Sequence, residues 1–120
     1  MRRMRAELAW SSMAPAIARR MLGVWLSDLE CPDAVVADAI LVASELVTRS
    51  VNGGTGAPSM EAAVGDRTVR LNVVSATALI VTPAADPVDA LGPVLLAALC
   101  DEWGIETSDD GTRQWAVLTW

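Results

Sequence analysis

Histidine, tyrosine, phenylalanine and lysine are all absent from the 120 residues of this chain. Each absence removes a chemistry. Without His there is no imidazole general base, no Ser-His-Asp triad and no His-ligated zinc. Without Lys there is no phosphate-gripping lysine in a glycine-rich nucleotide loop. Cysteine is scarce. Cys31 and Cys100 follow no ligand spacing and suit a reducing cytoplasm better than a disulfide framework. No apolar run approaches the length that spans a bilayer, so no membrane association is expected. The start, Met1-Arg2-Arg3-Met4-Arg5, has the charge of an export signal, but Glu7, Ser11, Ser12 and Pro15 break the apolar segment that should follow. The expected location is cytoplasmic.

Hydrophobic residues make up 52% of the chain and charged residues 20%. That composition buries a core and fits one domain. The net charge is −6, and all nine basic residues are Arg. Five of them, Arg2, Arg3, Arg5, Arg19 and Arg20, fall in the first twenty residues, which leaves −10 on the remainder. A body this acidic repels phosphate backbones, so nucleic acid is not an expected partner. Residues 1–12 read as a flexible basic arm that could dock on the acidic body of a partner or of a second copy. Residues 13–120 read as a single domain.

Ile17, Met21, Val24 and Trp25 recur at helical spacing, and Pro15 suits a first turn, so a helix is expected over 14–29. Cys31-Pro32 stops it. Asp33 is a good N-cap for a second helix over 33–51. Its apolar stripe is Val36, Ile40, Ala43, Val47 and Val51, with Asp38, Glu45, Arg49 and Asn52 on another face. Alternation over 59–74 about Gly65-Asp66 predicts a hairpin, and 103–119 about Ser108-Asp109-Asp110-Gly111 predicts a second. Ala78 to Val81 reads as a short strand or a buried loop. Pro93 to Cys100 is apolar all round, as in a buried helix, expected over about 93–101. These periods predict an α+β two-layer sandwich, with a mixed or antiparallel sheet covered on one face by three helices. Of the five tryptophans, Trp25, Trp103 and Trp115 read as core; Trp10 and Trp120, near the ends, suit a partner surface.

Ser44-Glu45-Leu46-Val47-Thr48 lies on the second helix, Asp101-Glu102-Trp103-Gly104 follows the apolar one, and Gly111 precedes a last strand with Trp115. In this order the chain resembles small bacterial ATP-binding domains of the gyrase, Hsp90, histidine kinase and MutL superfamily, in particular anti-sigma-factor serine kinases. The resemblance covers about Ala16 to Trp120. It implies that Glu45 stands where the family's catalytic Glu polarises the nucleophile. Arg49 stands where an Asn holds magnesium, and Arg has no acceptor atom. Asn52 lies one turn further on as a substitute. Ser75 stands where an Asp reads the adenine amino group. Gly92, in Ala90-Leu91-Gly92-Pro93, is the one glycine left of the lid turn, and Pro93 removes a backbone donor.

Without the resemblance, Glu45 and Arg49 are an ordinary i, i+4 ion pair. With it, two alternatives stand. One is an active ATP-binding serine/threonine kinase acting as an anti-sigma factor. The other is a pseudoenzyme with the same fold, kept for protein interaction in transcription regulation. The second implies weak ATP binding, no magnesium site, and a sigma factor or anti-anti-sigma-like protein as partner, with homodimerisation open. An unrelated α+β domain carrying a chance string is the third alternative.

Overall fold

The computed structural model describes residues 1–53, 56–76 and 91–120. Five strands and three helices follow the order β1 (Arg2–Glu7), α1 (Ala14–Asp28), α2 (Asp33–Gly53), β2 (Ser59–Gly65), β3 (Thr68–Ser75), α3 (Leu91–Leu99), β4 (Glu102–Ser108) and β5 (Gly111–Thr119). The strands form one sheet in the order β1-β2-β3-β5-β4, and every pairing among the described residues is antiparallel. The helices lie on one face, as the periodicities require. Ala78 to Val81 falls outside the described residues.

Both hairpins form where alternation places them. Met60, Ala62, Val69, Leu71 and Val73 turn inward and are buried. The first turn is Asp66-Arg67, both in the left-handed region, so it sits one residue later than Gly65-Asp66. On the open face, ion pairs run within β1, from β1 to β2 and between β5 and β4. Arg5 bridges Glu7 (2.8 Å) and Glu61 (3.1 Å), and Arg113 bridges Glu106 (3.1 Å).

The N-terminal segment corrects the expectation of a flexible arm. Arg2–Glu7 is an edge strand registered residue by residue on β2, from Arg2 opposite Val64 to Glu7 opposite Ser59. Met4, Ala6 and Leu8 alternate with Arg3, Arg5 and Glu7, and the apolar set joins the core. The Ser59 hydroxyl donates to Glu7 at 2.6 Å and fixes the end of the strand.

Helix α1 brings a second correction. Its buried stripe is Ala14, Ala18, Leu22 and Leu26, while Ile17 (42% exposed), Met21 (42%) and Val24 (58%) face outward. The helix therefore carries two apolar stripes, and the one formed by its larger side chains is not the core face. Its C-terminus closes as a Schellman motif. Cys31 N–H reaches the Leu26 carbonyl and Glu30 N–H that of Ser27, with Glu30 at φ 59°. Pro32 then prevents continuation.

On α2 the buried residues are Ala39, Val42, Ala43, Leu46, Val47 and Ser50. The expected stripe is thus rotated, and Val36, Ile40 and Val51 are only half-buried. Helix α3 is not buried all round. Leu96 is fully covered, but Val94 is 64% exposed. Trp25 and Trp103 pack partly buried against the core, as does Trp120. Trp115 instead lies on the open sheet face, its indole over Gly104. Trp10 is exposed and donates its ring N–H to the Val51 carbonyl at 3.1 Å.

Candidate functional site

Helix α2 meets α1 along one flank. The Arg19 guanidinium donates to Ser44 Oγ at 2.7 Å, and Gly23 lies against Ile40. At 100° per residue, Glu45, Arg49 and Asn52 fall on the opposite flank, which faces α3. There Glu45 packs against Gly92 in the first turn of α3. A Cβ on Gly92 would collide with Glu45 Oε1 and lie 2.9 Å from its carboxyl carbon. A methyl group there would displace the Glu45 carboxylate, the flexible end of its side chain, while the helical backbone itself admits one.

Burial raises the Glu45 carboxyl above the usual range, and the positive charge of Arg49 partly offsets this. A raised pKa means that ionising Glu45 costs the folded state. Its contribution to stability is full below the unfolded pKa and is lost as pH rises through the folded one. Glu45→Gln should therefore raise the melting temperature at pH 7 relative to the parent, with the gain vanishing near pH 4. Melts of the two proteins across that range check the sign.

Asn52, on the last turn of α2, is exposed. Ser75 ends β3 with its side chain toward the helices, 2% exposed, and its hydroxyl meets no hydrogen-bond partner among the described residues. Beside it on β5, Thr112 pairs with Ser75 and Gln114 with Val73. Gln114 is 1% exposed. Its Nε2 donates to the Leu46 carbonyl (3.0 Å) and to Ser50 Oγ (2.8 Å), both on α2, and its Oε1 meets no partner among the described residues. Gln114 thus bridges sheet and helix in the layer that Ser75 faces.

The structure brings Glu45 against Gly92, with Arg49 one turn further along the same flank of α2. It holds Ser75 at the sheet, beside Gln114. A depression of about 250 Å³ adjoins Ser75, but its walls are the ends of β3, β4 and β5, including Glu106, Asp110, Thr112 and Arg113. Glu45, Arg49, Asn52 and Gly92 do not line it. Residue Gly54 of the glycine-rich loop lies outside the described residues.

Sequence reasoning missed Gln114 and read Gly111 only as a turn residue. Gln114 was detectable as the one amide among the inward positions Thr112, Ala116 and Leu118 of an alternating strand. Gly111, at φ +134°, lets β5 begin directly against the Ser75 carbonyl.

No protein-family model matches the chain, and no curated protein does. Among solved structures, the crystal structure of the RsbU and RsbW domains of Rv1364c from Mycobacterium tuberculosis superposes on 99% of this chain with a TM-score of 0.81 at 21% sequence identity. This chain spans 32% of the length of that one. The shared architecture is an antiparallel five-stranded sheet under three helices.

Proposed function

We propose that this chain is a regulator built on an RsbW-like ATPase fold, that it acts by binding another protein, and that its nucleotide chemistry is reduced or lost. The observation that carries this reading is Gln114. Its side chain crosses the layer faced by Ser75 and is tied to α2 at Leu46 and Ser50. A base entering there would have to break both bonds.

The residues present do not fit Mg-ATP. Phosphoryl transfer rests on positioning and on neutralising phosphate charge with a metal. Arg49 offers no ligand atom to a cation. Ser75 offers a neutral hydroxyl where the resembling family offers a carboxylate. Asn52 is one turn away and faces solvent. A metal site is not part of the proposal, and ATP binding is expected to be weak. By resemblance, the partner is a sigma factor or an anti-anti-sigma-like protein, and Glu45, Arg49, Ser75 and Gly92 are remnants of the nucleotide site.

One observation favours the other reading, an active serine/threonine kinase. Glu45 is a half-buried carboxylate with a raised pKa, the character of a general base. A transfer assay with γ-labelled ATP, magnesium and serine-containing protein substrates separates the two. The proposal expects no label above background. Transfer that disappears in Glu45→Gln would establish the kinase.

A further inference from the structure

We infer that the outer edge of β4 takes up an extended basic segment of another protein as a sixth, antiparallel strand, with lysine or arginine side chains set against Glu102 and Glu106. The inference gives a surface and a chemistry to the protein binding proposed above and rests on that part of the reading. The transfer assay tests the nucleotide part, so the two fail separately.

The edge comes first. Strand β4 is the last of the sheet, and among the described residues it pairs with β5 alone. Ser108 and Gly111 close the two-residue turn Asp109-Asp110. The closing pair of such a hairpin is hydrogen-bonded, and alternation makes Glu106 and Gly104 bonded positions as well. The N–H and C=O groups of Trp103, Ile105 and Thr107 therefore point away from β5. Among the described residues no backbone partner meets them. An open row of this kind is a template for an added strand.

Charge selects the occupant. Asp101, Glu102, Glu106, Asp109 and Asp110 lie on β4 and its flanks, all exposed, and no basic residue stands between 101 and 110. Asp101 accepts hydrogen bonds from Thr119, and Glu106 pairs with Arg113. Glu102, Asp109 and Asp110 make no ion pair among the described residues. Arg113 engages only Oε2 of Glu106, through Nε at 3.3 Å and Nη2 at 3.1 Å, which leaves Oε1 to an incoming cation. A second copy does not fit here: two β4 strands antiparallel about Gly104 would set Glu102 against Glu106. A strand bearing lysine or arginine is drawn in.

The register sets the spacing. Glu102, Gly104 and Glu106 share the open face, and an added strand presents every second side chain there. Basic residues four apart then stand opposite Glu102 and Glu106 in the closer, non-hydrogen-bonded pairs, at about 4.5 Å between Cα atoms. The residue between them faces Gly104, over which the Trp115 indole lies as an apolar contact. Beyond Glu106 the sheet ends in the depression of about 250 Å³. Val74, 36% exposed, gives it an apolar wall, and Glu106 and Asp110 an acidic rim. Buried Ser75 adds a hydroxyl with no partner among the described residues. That lining suits the stem and head of one long basic side chain.

Fluorescence anisotropy of a labelled peptide with the full chain tests this. The probe is a nine-residue peptide of alternating valine and threonine carrying two lysines four residues apart, two positions either side of its centre. It should bind with a dissociation constant of about tens of micromolar, weakening about tenfold in high salt. Glutamate in place of both lysines, or proline next to the central residue, should weaken binding at least about 30-fold. Glu102→Lys/Glu106→Lys should lose the lysine peptide about 100-fold and take up the glutamate peptide instead. Both positions are exposed, so far-UV circular dichroism should be unchanged. Arg3→Gln, at the opposite edge, should leave binding as it is. Hydrogen exchange at the Trp103, Ile105 and Thr107 amides should slow in the complex. A lysine peptide that does not bind at about 1 mM overturns the inference. So does equal binding of the glutamate or proline peptide, indifference to the charge reversal, or slowed exchange at β1 in place of β4.

Discussion

Gly111→Ala should destabilise the domain by about 3 kcal/mol or more, a fall in melting temperature of about 10–20 °C. Two costs add. At φ +134° an L side chain is strained whatever its surroundings. A Cβ there would also collide with the Ser75 carbonyl oxygen and stand 3.1 Å from the Ala76 carbonyl carbon. Both obstacles are backbone, so the β3–β5 pairing must open at Ser75 and Thr112 to admit a methyl group. Gly56→Ala separates the two costs. Gly56 has φ +111°, but its Cβ would meet nothing within 4 Å among the described residues. Its loss should be near 1 kcal/mol, from strain alone. Thermal melts of the two variants side by side test this, and equal losses would show that the contact with Ser75 carries no weight.

Rebuilding the nucleotide site should raise ATP affinity by about 100-fold. Ser75→Asp restores a charge-assisted acceptor, and hydrogen bonds to charged groups contribute about 1.5–3 kcal/mol, or ten- to a hundred-fold. Arg49→Asn restores a side-chain oxygen within reach of a cation. Gln114→Ala clears the layer between Ser75 and α2. The double variant Arg49→Asn/Ser75→Asp should gain little, because Gln114 remains tied to Leu46 and Ser50. The triple variant should bind ATP, with magnesium now strengthening the binding. If the double variant already binds as tightly as the triple, Gln114 does not close the layer. If the triple variant fails while folded, the contact between Glu45 and Gly92 is the barrier, and the scaffold serves partner binding alone.

How much of this was legible depended on whether one residue pattern had one structural outcome. The hairpins were legible because Met60, Ala62, Val69, Leu71 and Val73 leave only one face apolar. α1 was misread because its sequence offers two apolar stripes. Ile17, Met21 and Val24 are larger than Ala14 and Ala18, yet close packing against α2 favours the small residues. Strand β1 was hidden by its arginines, which suggested a solvated arm, although Met4, Ala6 and Leu8 already alternate with polar neighbours. The proximity of Glu45 to Arg49 follows from helix geometry. The contact of Glu45 with Gly92 does not, since it depends on how α3 docks, which local pattern does not encode. Gln114 went unnoticed because a single polar residue in a strand gives no sign of which partners will satisfy it.

The central proposal is that the chain has this fold and that its site does not take Mg-ATP as a tight ligand. Calorimetric titration of the unmodified protein with ATP, with and without magnesium, tests it most directly. The account predicts a dissociation constant of about a millimolar or weaker, the same with and without magnesium, in a protein whose melting temperature saturating nucleotide leaves unmoved. Tight binding in the micromolar range that depends on magnesium would contradict it.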